Sequence, residues 1–207
     1  MQYYELYRLA QYFQLFGFGR ITGIDIGREY KGTIPNTAFM NKRYGRFGWS
    51  KGSLLNFCIG QGEILVTPIQ VFNYVNLLAT KGNSNSPHLV SSTKKDSENE
   101  IPLSSQIWDR IIFDMGQVIS HAKGTGKNAD PAIQGAKIYG KTGTAENPHG
   151  EDHAWFIGWI EYKKKKFSIV VLLENSGSGG AVAAPLAKNV FDKIILGIDN
   201  SKQISMK

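Results

Sequence analysis

Apolar residues recur at helical spacing over residues 2–16, at Tyr4, Leu6, Leu9, Tyr12, Phe13 and Phe16. Gly17-Phe18-Gly19 ends that helix. Residues 20–52 are rich in Gly, Asn and charge with no sustained period, and predict an irregular connection. Thr67-Pro68 opens a second helix, because Thr67 can cap it and Pro68 suits its first turn; Ile69, Phe72, Val75, Leu77 and Leu78 supply the apolar side. Residues 81–100 read as a polar surface loop with a short extended piece near Pro87 to Val90. Ser104 or Ser105 starts the strongest helix, striped by Ile107, Ile111, Ile112, Met115, Val118 and Ile119 and stopped by Gly124. Three strands follow, Ala136–Thr144, Ala154–Tyr162 and Phe167–Glu174, and the run Lys163 to Lys166 reads as the solvated tip of an antiparallel hairpin between the last two. The glycine-rich Ser176–Gly180 leads into a final helix, about Val182–Leu196. Helices, then consecutive strands, then a helix make an α+β pattern rather than alternating βαβ units.

The 207 residues suit one domain, with a helical and loop portion over 1–135 and the sheet and terminal helix over 136–197. A hydrophobic share of 42% with 20% charged residues is a folding composition, not a disordered one. No apolar run approaches the roughly 18–20 residues that span a bilayer, and MQYYELYRLAQ lacks a signal peptide's cationic start and apolar stretch. The net charge of +7 is scattered apart from the lysine run, so no basic face interleaved with aromatics points to nucleic acid. Cys58, the single cysteine, excludes an internal disulfide or a multi-cysteine zinc site; set in Phe57-Cys58-Ile59, it reads as a buried, inert thiol.

Several motif matches fail on their chemistry. Gly60-Gln61-Gly62 lacks the third glycine of a dinucleotide fingerprint. Gly124-Thr125-Gly126-Lys127 has His121 where a phosphate loop needs glycine and Asn128 where it needs Ser or Thr. His149 and His153 have a metal-binding helical spacing, but Pro148 and Gly150 argue for a loop and no third ligand is indicated. Ser178 lies in GSGG, not in the G-x-S-x-G of a nucleophile elbow.

Lys141-Thr142-Gly143 gains weight from its setting. It lies on the first of the three late strands, Thr144-Ala145 follows, and HAWFIGW, His153 to Trp159, occupies the next strand. Together KTGTAENPHGEDHAWFIGW resembles the signature of class B penicillin-binding proteins of the elongation type, the penicillin-binding protein 2 family. FGFGRITGIDIG (16–27), IGQGEILVTPIQ (59–70) and ENSGSGGAVAAPLAKNVFD (174–192) resemble further segments of that family in the right order, so the resemblance covers nearly the whole chain.

The resemblance implies a penicillin-recognising serine transpeptidase or β-lactamase-like fold, an antiparallel sheet packed with helices and incomplete at its N-terminus. It implies peptidoglycan D,D-transpeptidation by serine acyl transfer, with D-alanyl-D-alanine stem peptides and β-lactams as ligands and no cofactor or metal. Lys141 would raise positive potential in the cleft, and the Thr142 hydroxyl would donate to the substrate's terminal carboxylate. Gly143 would let the substrate backbone lie against the strand edge, and the backbone N–H of Thr144 would supply half of an oxyanion hole. Membrane proteins of the elongation complex are the implied partners, and the implied location is the inner membrane with the domain outside it.

The family also carries S-x-x-K, whose serine is the nucleophile, and S-x-N, both ahead of the FGFG segment. The residues before Phe16 contain neither. Ser91 to Lys94, Ser92 to Lys95 and Ser120 to Lys123 match S-x-x-K, and Ser97-Glu98-Asn99 matches S-x-N. The first group lies in the polar loop, and Ser120 lies at a helix C-terminus, where the dipole disfavours a developing anion. The expectation is a C-terminal part of a longer transpeptidase, inactive and only marginally foldable alone, with an open apolar sheet edge. A truncated paralogue that keeps only the carboxylate-binding strand, or a β-lactamase or β-lactam sensor, are the alternative readings.

Overall fold

The computed structural model describes residues 2–90 and 99–204. The chain divides into two compact units, Met1–Pro102 and Leu103–Lys207.

The first unit is helical. Helix α1 (Gln2–Leu15) buries Leu6 against Met40, Trp49, Leu54 and Phe57. Two short helices supply three of those partners, Met40 from α2 (Thr37–Tyr44) and Leu54 and Phe57 from α3 (Lys51–Cys58), and Trp49 lies between them. Both lie in or across the end of the stretch expected to be irregular. Each is started by a side-chain cap, Asn36 accepting from the Phe39 N–H at 2.9 Å and Ser50 from the Gly52 N–H at 3.2 Å. Such caps satisfy donors that a helix end leaves unpaired, and tertiary packing completes helices too short to stand alone. Cys58 is exposed, contrary to the sequence reading. The helical turn that sends Leu54 and Phe57 inward rotates Leu55, Cys58 and Ile59 to the outside, at 69% exposure for Leu55 and 74% for Ile59.

Helix α4 (Pro68–Ala79) begins as expected at Thr67, whose hydroxyl accepts from the Gln70 N–H while the Gln70 side chain accepts from the Thr67 N–H, a reciprocal capping box. The extended piece of the following loop is β1 (Asn83–Ser84), paired antiparallel with β2 (Asn99–Glu100), not Pro87 to Val90. The Leu89 and Val90 N–H groups are drawn away from any strand by the two carboxylate oxygens of Asp25, at 2.6 and 2.8 Å.

The second unit carries the sheet. Helix α5 (Ser105–Ser120) spans the predicted segment and buries Met115 and Ile119 of the predicted stripe, but at its start the helix turns Trp108 inward and leaves Ile107 46% exposed. Strands β3 (Lys137–Ala145), β4 (His153–Tyr162) and β5 (Lys165–Leu173) form an antiparallel meander in the order β3-β4-β5. The hairpin tip is shorter than the lysine run: Tyr162 pairs with Lys165, so only Lys163 and Lys164 turn, and Lys165 and Lys166 belong to β5. Both turn residues have positive φ, 47° and 65°, the backbone a tight two-residue hairpin demands.

The sheet has two apolar sides. On one, Ile138, Phe156 and Ile160 pack with Ala183, Ala184, Ala187, Phe191 and Ile195 of the terminal helical segment. That segment starts as a π-turn over Gly179–Ala183 and continues as α6 (Ala184–Ile204), longer than the 182–196 expected. On the other side Tyr139 stacks on the fully buried Trp159 with ring centroids 4.8 Å apart. Burial, with Glu161 adding to it, pushes the Tyr139 hydroxyl above its ordinary pKa. Gly158 is required where the strands cross closest, since a Cβ there would lie 2.2 Å from the Tyr139 carbonyl oxygen. Among the described residues no helix is long and apolar enough to cross a membrane.

Candidate functional site

Strand β3 carries Lys141, Thr142, Gly143 and Thr144 in an unbroken row, each aligned with a partner on β4: Ile157, Phe156, Trp155 and Ala154. Alternation along the strand separates them. Thr142 turns to the side packed by α6 and is 9% exposed, whereas Lys141 is exposed. The Lys141 ammonium folds back to donate to the Thr142 carbonyl at 2.5 Å. The edge of β3 away from β4 has no strand partner among the described residues.

Two segments sit on this row. The loop after α5, Gly124 to Asn128, doubles back on the end of its helix: the Gly126 N–H donates to the Val118 carbonyl at 3.0 Å, and a Cβ on Gly124 would lie 2.3 Å from that same oxygen. This brings the Thr125 and Thr142 hydroxyl oxygens 2.8 Å apart. The glycine turn Ser178–Gly180 lies over the strand. The Gly179 N–H donates to the Thr144 hydroxyl at 3.4 Å, and a Cβ on Gly179 would meet the Trp155 and Gly143 carbonyl oxygens at 2.2 and 2.3 Å. Asn128 joins the two segments, its side-chain amide donating to the Gly180 carbonyl at 3.1 Å.

The far end of the glycine turn is fixed as well. Asn175 donates its N–H to His153 Nδ1 at 3.0 Å, and its side-chain oxygen accepts from the Asn147 side-chain amide at 2.5 Å; the Ser176 and Gly177 N–H groups both donate to the Asp152 carbonyl. His153 is therefore a strand residue holding the loop, and His149 lies in the β3–β4 connection. Ser178 precedes the π-turn and accepts backbone bonds from Ala181 and Val182 through its carbonyl.

The residues singled out in the sequence, 141–144, all lie on β3. Sequence reasoning does not single out Thr125, Asn128 or Gly179, because Thr125 and Gly179 reach the row across 17 and 35 residues and Asn128 reaches the glycine turn across 52. The only available signal was Gly124-Thr125-Gly126, set aside as a failed phosphate loop. Ser120 is the last residue of α5, and its hydroxyl donates to the Gly116 carbonyl at 3.0 Å, so its proton is spent on its own helix. The matches at Ser91, Ser92 and Ser97 lie outside the described residues. A cleft of about 800 Å³ in the first unit, bordered by Arg8, Arg20, Thr22 and Asn73, touches none of the expected site residues.

A family model for the penicillin binding protein transpeptidase domain matches residues 4–192. Peptidoglycan D,D-transpeptidase MrdA of Haemophilus influenzae is 34% identical over 89% of this chain and 32% of its own length. PBP2 of Pseudomonas aeruginosa, solved in complex with WCK 5153, superimposes with a TM-score of 0.79 at 33% identity, over 90% of this chain and 42% of that one. PBP2 of Helicobacter pylori, solved in complex with MreC, gives a TM-score of 0.74 at 28% identity, over 92% and 37%. The chain spans about a third of the length of the curated relatives it matches. The match over residues 4–192 and the likeness to MrdA and PBP2 establish the family: the chain belongs to the penicillin-binding protein transpeptidase domain family, of the penicillin-binding protein 2 type.

Proposed function

We propose that this chain supplies the carboxylate-recognition strand of a peptidoglycan D,D-transpeptidase that cross-links stem peptides by serine acyl transfer. The observation that carries it is the row Lys141-Thr142-Gly143-Thr144 along a β3 edge with no strand partner among the described residues, backed by the glycine turn. An extended peptide ending in D-alanyl-D-alanine adds to such an edge through main-chain hydrogen bonds. Lys141 gives the site positive potential and the Thr142 hydroxyl a donor for the terminal carboxylate.

Backbone alternation favours the oxyanion role. The Gly143 N and O atoms crowd with the Trp155 carbonyl oxygen around Gly179, so Gly143 faces β4. In an antiparallel ladder its neighbours then direct their backbone groups away from β4, the Thr144 N–H among them. A preorganised N–H there stabilises the tetrahedral oxyanion more than the ground-state carbonyl. No described residue combines a serine at a helix start with a lysine three positions on, so the nucleophile is not placed among them. β-Lactams, which present a carboxylate beside an acyl group, are ligands of the same strand. A membrane-anchored protein acting outside the inner membrane with an elongation partner, as the Helicobacter pylori protein has in MreC, completes the reading.

Covalent labelling with a fluorescent penicillin, followed by gel and intact mass, tests it on the protein as its source expresses it. Labelling should slow at least roughly a hundredfold in Lys141→Ala, the scale of losing a charge-assisted contact in a dry site. Labelling at the wild-type rate in that variant would overturn the reading. Reversible binding of a D-alanyl-D-alanine peptide with no adduct would favour a binding module instead, and rapid cephalosporin turnover a β-lactamase.

A further inference from the structure

We propose that Thr125 and Asn128, in the loop after α5, are positioning residues for the Lys141 row: Thr125 aims the Thr142 hydroxyl proton at the ligand's carboxylate, and Asn128 latches the glycine turn onto Thr144. The inference rests on the reading of β3 as a carboxylate-recognition strand and adds to it a second layer of residues that never touch the ligand.

A threonine hydroxyl has one proton and two lone pairs. Thr142 is nearly buried, and its oxygen sits 2.8 Å from that of Thr125. When Thr125 is the donor, the Thr142 proton is free to point at an incoming anion, and the two hydroxyls form a relay that ends on the carboxylate. Each bond in such a chain polarises the next, so Thr142 donates more strongly than an isolated hydroxyl would. Thr125 can do this because its loop is folded tightly on Val118 through Gly124 and Gly126, which leaves its backbone little freedom. Its carbonyl oxygen is packed close to Gly180, where a Cβ would approach to 2.7 Å.

Asn128 acts on the neighbouring position. Its amide holds the Gly180 carbonyl at 3.1 Å, and the adjoining Gly179 N–H reaches the Thr144 hydroxyl. The latch thus fixes the side chain of the residue whose N–H would meet the oxyanion. One five-residue loop holds two donors of the site at once.

The test uses protein labelled with ¹³C at threonine methyls, so that three-bond couplings report the Thr142 χ1 rotamer without any ligand. A second arm titrates diacetyl-L-lysyl-D-alanyl-D-alanine by chemical shift. Wild type and Thr125→Ser should show one Thr142 rotamer, and Thr125→Val should show averaging, with peptide affinity reduced roughly tenfold, about 1.4 kcal/mol. Thr125→Ala replaces Thr125→Val if the latter does not fold. Asn128→Ala should leave the Thr142 rotamer single and shift the Gly179 and Thr144 amide resonances. A single Thr142 rotamer in Thr125→Val, or equal peptide affinity in both, overturns the role of Thr125. Unmoved Gly179 and Thr144 resonances in Asn128→Ala overturn that of Asn128. Rotamer averaging in Thr125→Val with no peptide binding by wild type upholds the positioning and sinks the carboxylate reading instead.

Discussion

The Gln70 side-chain nitrogen lies 2.6 Å from the carbonyl oxygen of Arg20, fifty residues earlier, and 2.9 Å from that of Lys31. Its oxygen accepts the Thr67 N–H, so a side chain only 2% exposed spends both amide hydrogens and its oxygen on holding three backbone segments together. The glutamine of the T-P-x-Q segment is thus a structural pin for the loop after α1, not a ligand contact. Gln70→Ala should orphan two carbonyls and one N–H, and each buried group left unpaired costs about 1–3 kcal/mol. Urea unfolding should show a loss of at least about 2 kcal/mol; a change under about 0.5 kcal/mol would show that water replaces the amide freely.

The glycine turn gives a sharper steric test. Gly179→Ala places a methyl 2.2 Å from the Trp155 carbonyl oxygen, and strand backbone cannot step aside as a side-chain tip can. Overpacking of this kind destabilises by about 1–3 kcal/mol, and the turn should lift from Thr144, seen as a shift of the Thr144 amide. Gly177→Ala is the control. Its Cβ meets nothing, and only its positive φ of 83° is penalised, by about 1 kcal/mol. Equal effects from the two variants would remove the steric argument.

Lys164 occupies a left-handed backbone position, φ 65°, that glycine fills without strain. Lys164→Gly should stabilise the protein by about 1 kcal/mol. Lys163 has compensating contacts, an ion pair with Asp199 and its ammonium 4.9 Å from the Tyr162 ring centroid, so Lys163→Gly should give less or nothing. Thermal melts of the two variants side by side decide the order.

Asp25 accepts the Leu89 and Val90 N–H groups, and these bonds, Leu89 foremost, hold its carboxyl below the ordinary 3.8. A carboxylate with a depressed folded-state pKa stabilises the fold while it is ionised. That contribution is complete above the ordinary value and drains away as pH falls through the lowered one. Wild type should therefore lose more melting temperature than Asp25→Asn between about pH 4 and pH 2. Parallel curves for the two proteins in that window would show that the bonds add no stability.

The core of the second unit should behave as one cluster. Phe191 is fully buried against the sheet, so Phe191→Ala is expected to lower stability by about 3–5 kcal/mol. Denaturant midpoints measure this, and a drop below about 1 kcal/mol would place the ring in a site able to collapse.

What the sequence revealed depended on whether the signal was local. The α5 stripe and the three strands were legible to within a few residues, because Ile107 to Ile119 and the strand segments carry their period in consecutive residues. Helices α2 and α3 were not. At eight residues each, with a glycine inside α3 and three polar or charged residues closing α2, their period is too short to stand out; only the caps Asn36 and Ser50 marked them. Cys58 was misread because its apolar neighbours in sequence point in opposite directions on a helix. The Lys141 row can be singled out in the sequence because it is contiguous. Its supports cannot, since Thr125, Asn128 and Gly179 reach it only through the folded chain.

The two-residue turn at Lys163 and Lys164 also bears on the order of assembly. Each pairing in the sheet joins neighbours in sequence, β3 to β4 and β4 to β5, so no long loop must close before either ladder forms. A hairpin closed by so tight a turn forms in about 1–10 μs. The β4–β5 ribbon is therefore placed to nucleate the sheet, and β3, with its row of site residues, is laid onto an existing template rather than waiting on contacts distant in the chain.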